Sequence, residues 1–188
     1  MAAIILLILT GIQLRFPDSF NTFGSLKRVI QLHNLFGLIV LIDFFLWFVY
    51  YVIKRQLLKQ YVPTLDDMMV GSTVQANYYF FRIFLGDPPP FEPRPEAKFN
   101  SLQKITYFSI MFLILPLQMV TGILLWDIEK FIIIIGAVGG VRFIDGLHVI
   151  LAYVLTAFSI IHVYLATLGH TFFSHFKAII LGYEKETD

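Results

Sequence analysis

The residues best placed to do chemistry are His148 and His162, fourteen positions apart in the apolar run 144–169, IDGLHVILAYVLTAFSIIHVYLATLG. At about 100° per helical residue this spacing closes to within about 40° of a whole number of turns, so both imidazoles share one face, roughly 21 Å apart along the axis. A run of about 26 apolar residues is long enough to cross the roughly 30 Å hydrocarbon core of a bilayer. Imidazole in hydrocarbon is costly without a partner, which makes each histidine a functional candidate. A lone one is equally well explained by a hydrogen bond to a neighbouring helix. Two at this phase and depth point to axial ligation of two haems, one near each membrane surface.

Composition agrees with a membrane setting. Of 188 residues, 57% are hydrophobic and only 14% charged, which makes a water-soluble globule improbable and a polytopic membrane protein the expectation. The whole chain, 1–188, reads as a single transmembrane domain of all-α class. Its net charge of +1 says nothing about partners, and no nucleic acid is expected among them. Cysteine is absent, which excludes disulfides, cysteine-ligated iron–sulfur clusters and c-type haem attachment. Any haem is therefore non-covalent and b-type. With no phosphate-binding glycine loop, zinc motif or nucleophile elbow, chemistry has to belong to a bound cofactor.

These histidines must be positioned by a four-helix bundle. The first segment, MAAIILLILTGIQLRFP, holds about fourteen residues before Arg15, against the roughly 20 a spanning helix needs, and reads as the second half of a helix truncated at its N-terminus. A signal peptide is disfavoured by the missing basic n-region. Residues 15–27 carry loop chemistry in Pro17, Asp18, Asn21 and Gly24. The second span covers about 28–53, with His33 near its start and Gly37 four residues on. Gly37 lies on the same face, where a glycine admits either a flat porphyrin or a close helix neighbour. Asp43 sits mid-span, where a charged carboxylate costs about 2.5–3.5 kcal/mol on insertion scales. It is expected to bond a ligand imidazole, serve a proton path, or bond a neighbouring helix.

Residues 54–104 form the longest polar connection. A capping signature at Thr64 and Asp67 opens a helix expected to lie in the membrane interface, and five prolines in GDPPPFEPRPEAKFN then enforce an extended run. The third span, about 102–126, should kink at Pro116. Its TGI at 121–123 echoes TGI at 10–12, a faint repeat that small residues at a helix interface would explain. Residues 127–143 return the chain, with FIIII against the membrane surface. His170 and His175 fall in an amphipathic tail at or beyond the membrane edge.

With the 127–142 loop outside, nine lysines and arginines lie inside and five outside, which agrees with the positive-inside rule and makes both termini cytoplasmic. Spans two and four then enter from the same side, and His33 and His148 match in depth. They are assigned to one b haem near the outer surface. His162 needs its own partner near the inner surface. Either it is vacant, or its partner lies upstream of Met1.

These residues resemble the prokaryotic di-haem cytochrome b group of membrane anchors, notably the cytochrome b subunit of thiosulfate reductases and the gamma subunit of formate dehydrogenase. The resemblance rests on LTGIQLRFPD at 9–18, LHNLFG at 32–37, KFNSLQK at 98–104, and the span-four histidines ending in HVYLATLGH at 162–170. It implies His33, His148 and His162 as haem-iron ligands, with the fourth ligand falling before Met1 and the inner haem doubtful without it. It also implies a quinone site, for menaquinone or ubiquinone, where Asn100 stands in the matching place and Leu102 replaces a glycine. His170, at the same membrane face, is expected to exchange protons there. The implied function is a membrane electron-transfer subunit of an oxidoreductase complex in a bacterial or archaeal inner membrane. It would relay electrons between the quinone pool and an iron–sulfur or multihaem cytochrome c subunit on the outer face. The rival is a non-redox anchor or small proton-linked transporter that uses its histidines as polar contacts or relays.

Overall fold

A backbone in hydrocarbon must satisfy its own polar groups, and the chain does so with helices alone among the described residues. The computed structural model describes residues 2–91 and 99–166. The longest helices are α2 (Leu26–Ile53) and α8 (Val141–Ala166). Between them, α5 (Ser101–Ser109) and α6 (Leu115–Trp126) are joined by a π-helical turn, Ile110–Ile114, into one rod. These three rods are long and apolar enough to cross a membrane, whereas α1 (Ala2–Arg15) has only 14 residues. The result is a transmembrane helical bundle.

The expected disturbance at Pro116 takes the form of that π-helical turn. Proline at the start of α6 has no N–H for the Phe112 carbonyl, and the wider turn just before it absorbs the mismatch. α2 ends in a Schellman motif. Arg55 adopts φ of 53°, its N–H reaches the Val52 carbonyl, and the Gln56 N–H reaches the Tyr51 carbonyl.

α1 packs along α2 and α6 along α8, while the two pairs touch more sparsely through α2 and α6. A small plug of Leu124, Ile135 and Ile144 closes one end. Here the expectation for FIIII needs refinement. In α7 (Ile132–Ala137), Ile132, Ile133 and Ile134 are exposed as a surface-lying run requires, but Ile135 is fully buried in the plug. At the same end Arg15 lies 3.9 Å from Asp145, joining the close of α1 to the opening of α8.

Gln13 fixes the turn from α1 to α2. Its buried amide donates to Asn21 Oδ1 and to the Gly24 carbonyl, both at 3.0 Å, and accepts from the Thr22 and Phe23 N–H groups at 3.1 and 2.9 Å. Replacing it with leucine strands those loop groups. We expect Gln13→Leu to cost about 2–4 kcal/mol, seen as a lowered thermal midpoint in detergent and faster proteolysis of residues 16–25.

The capping signature is present. Thr64 N–H and Oγ1 donate to Asp67 Oδ2, and Asp67 N–H donates back to Thr64 Oγ1. It follows the short helix α3 (Leu57–Tyr61) and opens a π-helical turn, Asp67–Gly71, continued by α4 (Ser72–Phe80). The same carboxylate clamps this helix to the rod. Ser101 Oγ donates to Oδ1 at 2.6 Å and Lys104 Nζ to Oδ2 at 3.0 Å. Gly71 passes so close that a Cβ there would collide with the Ser101 side chain. Burial pushes the Asp67 carboxyl up, but the bonds from Ser101, Thr64 and Lys104 outweigh it and hold it well below the usual carboxylate range. A depressed native pKa contributes stability that is present above the unfolded value of about 3.9 and fades as pH falls below it. Amide protection across 64–80, corrected for the intrinsic exchange rate at each pH, should therefore fall on acidification below about pH 4, and Asp67→Asn should flatten that dependence.

Candidate functional site

His33 and His148 each lie seven residues into their helices, α2 and α8. The bundle brings them together, ring centres 6.4 Å apart and planes at 72°. Each is held from outside by a threonine on the helix paired with its own. Thr10 Oγ1 lies 2.9 Å from His33 Nδ1, and Thr121 Oγ1 lies 2.9 Å from His148 Nδ1. Both hydroxyls also bond carbonyls one turn back, Thr10 to Leu6 at 2.7 Å and Thr121 to Leu117 at 2.9 Å. The glycine following each threonine lets its ring approach. A Cβ on Gly11 would stand 3.6 Å from His33 Cε1, and one on Gly122 would stand 3.3 Å from His148 Cε1.

Gln118, one turn before Thr121, brings its Nε2 to 3.1 Å from His148 Nε2, and its Oε1 is buried without a partner among the described residues. Gly37 faces open space, since a Cβ there would meet nothing within 4 Å. Asp43 departs from one expectation. It is exposed, and the paired imidazoles meet threonine hydroxyls instead. Ten residues past His33, it lies roughly 15 Å further along the axis, out of reach of either ring.

His162 sits elsewhere on α8. Its Nδ1 lies 3.3 Å from Tyr107 Oη, and Phe158 stacks on its ring at 5.5 Å. Tyr107 continues into Phe99, Tyr61 and Trp47 through ring contacts of 4.9–5.3 Å. Asn100 is buried beside this cluster and is the N-cap of α5. Its Oδ1 accepts from the Gln103 N–H at 2.8 Å, and its Nδ2 donates to Tyr79 Oη at 3.4 Å. His170 lies outside the described residues.

Thr10, Thr121, Gln118 and Tyr107 are site neighbours that the sequence reading did not single out. The repeated TGI was the available signal, since the same tripeptide abuts each paired histidine.

The donor set fits a b haem. Two imidazoles gripping one iron at nitrogen distances like the 2.0–2.1 Å of other metal–imidazole bonds have ring centres roughly 6 Å apart. The observed separation matches that, no cysteine competes, and the orphaned Gln118 oxygen marks a polar spot in an apolar bundle.

No solved structure matches the chain. It is 34% identical over 116 residues to the Escherichia coli (strain K12) protein named "Putative cytochrome YdhU". That match covers 59% of this chain and 42% of the relative, so the aligned stretch spans less than half of the relative's length. A family model described as prokaryotic cytochrome b561 matches residues 1–182, and with that coverage, on a helical bundle carrying paired intramembrane histidines, the chain belongs to the prokaryotic cytochrome b561 family.

Proposed function

We propose that His33 and His148 hold one b haem between α2 and α8, and that His162 holds one side of a second. The observation that carries this is the 6.4 Å approach of two imidazoles borne by separate spans. The family binds b haems, usually two. When bound, a b haem supplies reversible one-electron exchange. The chain's own residues do the rest: α2 and α8 present the imidazoles at equal depth, the threonines hold the rings, and Gly37 leaves room beside them. The Gln118 amide lies against His148 Nε2, the nitrogen that would hold the iron.

The chain as a whole acts as an electron-transfer subunit, relaying electrons between a quinone pool and a partner redox subunit at the outer face. An iron–sulfur or multihaem cytochrome c subunit suits that partner, because the chain lacks any cluster ligands of its own. The quinone, menaquinone or ubiquinone, is placed near Asn100 at the opposite end, with His170 as proton-exchanging neighbour. Buried Gln60, Gln75 and Asn100 lie in that region, next to Tyr61 and Phe99, and Gln60 Oε1 has no partner among the described residues. A few polar groups set among aromatic rings suit a quinone headgroup.

Reduced-minus-oxidised absorbance spectra of membranes from haem-replete cells test the pairing. His33→Ala and His148→Ala should each remove the same b-type component, and the double variant should remove no more than either alone. Full parental absorbance in either single variant overturns it.

A further inference from the structure

We infer that Thr10 and Thr121 are a matched pair of positioning residues that fix the tautomer of His33 and His148 and set the basicity of their Nε2 atoms. This rests on those histidines being haem ligands. The argument starts from proton counting. A threonine hydroxyl has one hydrogen, and each of these has a helix carbonyl to receive it: Thr10 at Leu6, 2.7 Å, and Thr121 at Leu117, 2.9 Å. The oxygen facing the ring can then only accept, so Nδ1 carries the proton in both rings, 2.9 Å from its threonine. Nε2 is left with a bare lone pair. For His148 a separate contact agrees. The Gln118 amide nitrogen, a donor, lies 3.1 Å from Nε2, which must therefore be the acceptor.

The two sites match in construction. In each, threonine and glycine are consecutive, the threonine meets Nδ1, and the glycine meets Cε1 of the same ring. α1 with α2 and α6 with α8 thus form two copies of one device, a Thr-Gly step on one helix against a histidine on its packed neighbour. The copies differ in tightness. A Cβ at Gly122 would sit 3.3 Å from its ring, against 3.6 Å at Gly11, so the second copy is the less forgiving.

A hydrogen bond accepted from Nδ1–H pushes electron density toward the ligating nitrogen, and such outer contacts orient metal ligands and raise their basicity. A more basic ligand favours the oxidised iron. Losing the hydroxyl should therefore raise the midpoint potential of the outer haem.

The test uses the full chain in native membranes, with Thr10→Val and Thr121→Val, which keep the shape and lose the hydroxyl, and Thr10→Ser and Thr121→Ser, which keep the hydroxyl. Redox titration and low-temperature electron paramagnetic resonance are the readouts. We expect each valine variant to shift the outer-haem potential upward and change its g-values, the double variant to shift further, and the serine variants to stay near the parent. If a valine variant loses the outer haem altogether, recovery by serine at the same position supports the assignment, and loss in both overturns it. Parental potential and g-values in haem-replete valine variants also overturn it, as does a serine variant that behaves like valine. His33→Ala run alongside separates the two levels: an outer haem that survives it defeats the ligand assignment itself, whatever the threonine variants do.

Discussion

An imidazole in hydrocarbon has two nitrogens to satisfy and no water to satisfy them, and the rest of this bundle is arranged around that constraint. One nitrogen of each paired histidine is met by a hydroxyl from an adjacent helix. A hydroxyl on a helix usually folds back on its own carbonyls and does nothing further. Here that habit is put to use, because a hydroxyl whose proton is already placed becomes a fixed acceptor. The two rings then stand 6.4 Å apart across the gap between the helix pairs, and the Gln118 amide meets the other nitrogen of His148. The polar atoms are few, and their positions follow from one another.

The gap follows from how the helices associate. Lipid chains solvate leucine as well as a protein core does, so no hydrophobic force closes the two pairs on each other, and close approach depends on small residues and polar contacts. Gly11 and Gly122 supply the small residues within each pair, and Thr10 and Thr121 the polar contacts. Between the pairs contact is sparser, and there the two histidines meet. Where the short helix α4 meets the third rod the opposite holds. Asp67, Ser101 and Lys104 tie a short helix to the start of the third rod with bonds of 2.6–3.0 Å, which gives that end a rigid rim.

Much of this was legible in the sequence, because the bilayer imposes a length and a polarity that a reader can count. The three long spans and the short first helix fall within a few residues of their observed bounds, and the approach of His33 to His148 follows from their matching positions near the starts of α2 and α8. The Thr64 and Asp67 cap was legible since it is local in sequence. What the sequence hid was long-range pairing. Thr10 and Thr121 looked like packing residues because a hydroxyl has no periodicity to betray its partner. Gln13 was a lone polar residue in an apolar helix, and its four bonds to a loop are visible only once the loop has folded over it. Asp43 was hidden in the other sense: its charge drew attention, but angle and depth keep it from the rings. Ile135 shows the limit of composition, since four consecutive isoleucines look alike and only the fold decides which one is core.

Asn100 shows that a structural duty and a functional one can fall on the same residue, and the geometry tells how far they conflict. Its side-chain oxygen takes the Gln103 N–H, while Gln103 Oε1 takes the Asn100 N–H in return, so the helix cap fixes the orientation of the side chain. The amide nitrogen has two protons and uses one on Tyr79. Asn100 thus keeps a free N–H, which suits a carbonyl oxygen such as that of a quinone ring. His162 differs from the outer histidines in a related way. Its hydroxyl neighbour is the phenol of Tyr107, which has no carbonyl one turn back to bind its proton and can donate or accept. The His33 and His148 rings are thus held by hydroxyls whose protons are already placed, whereas the His162 ring is not, and the end of the bundle with freedom in its proton positions is the end where Asn100 offers a hydrogen bond.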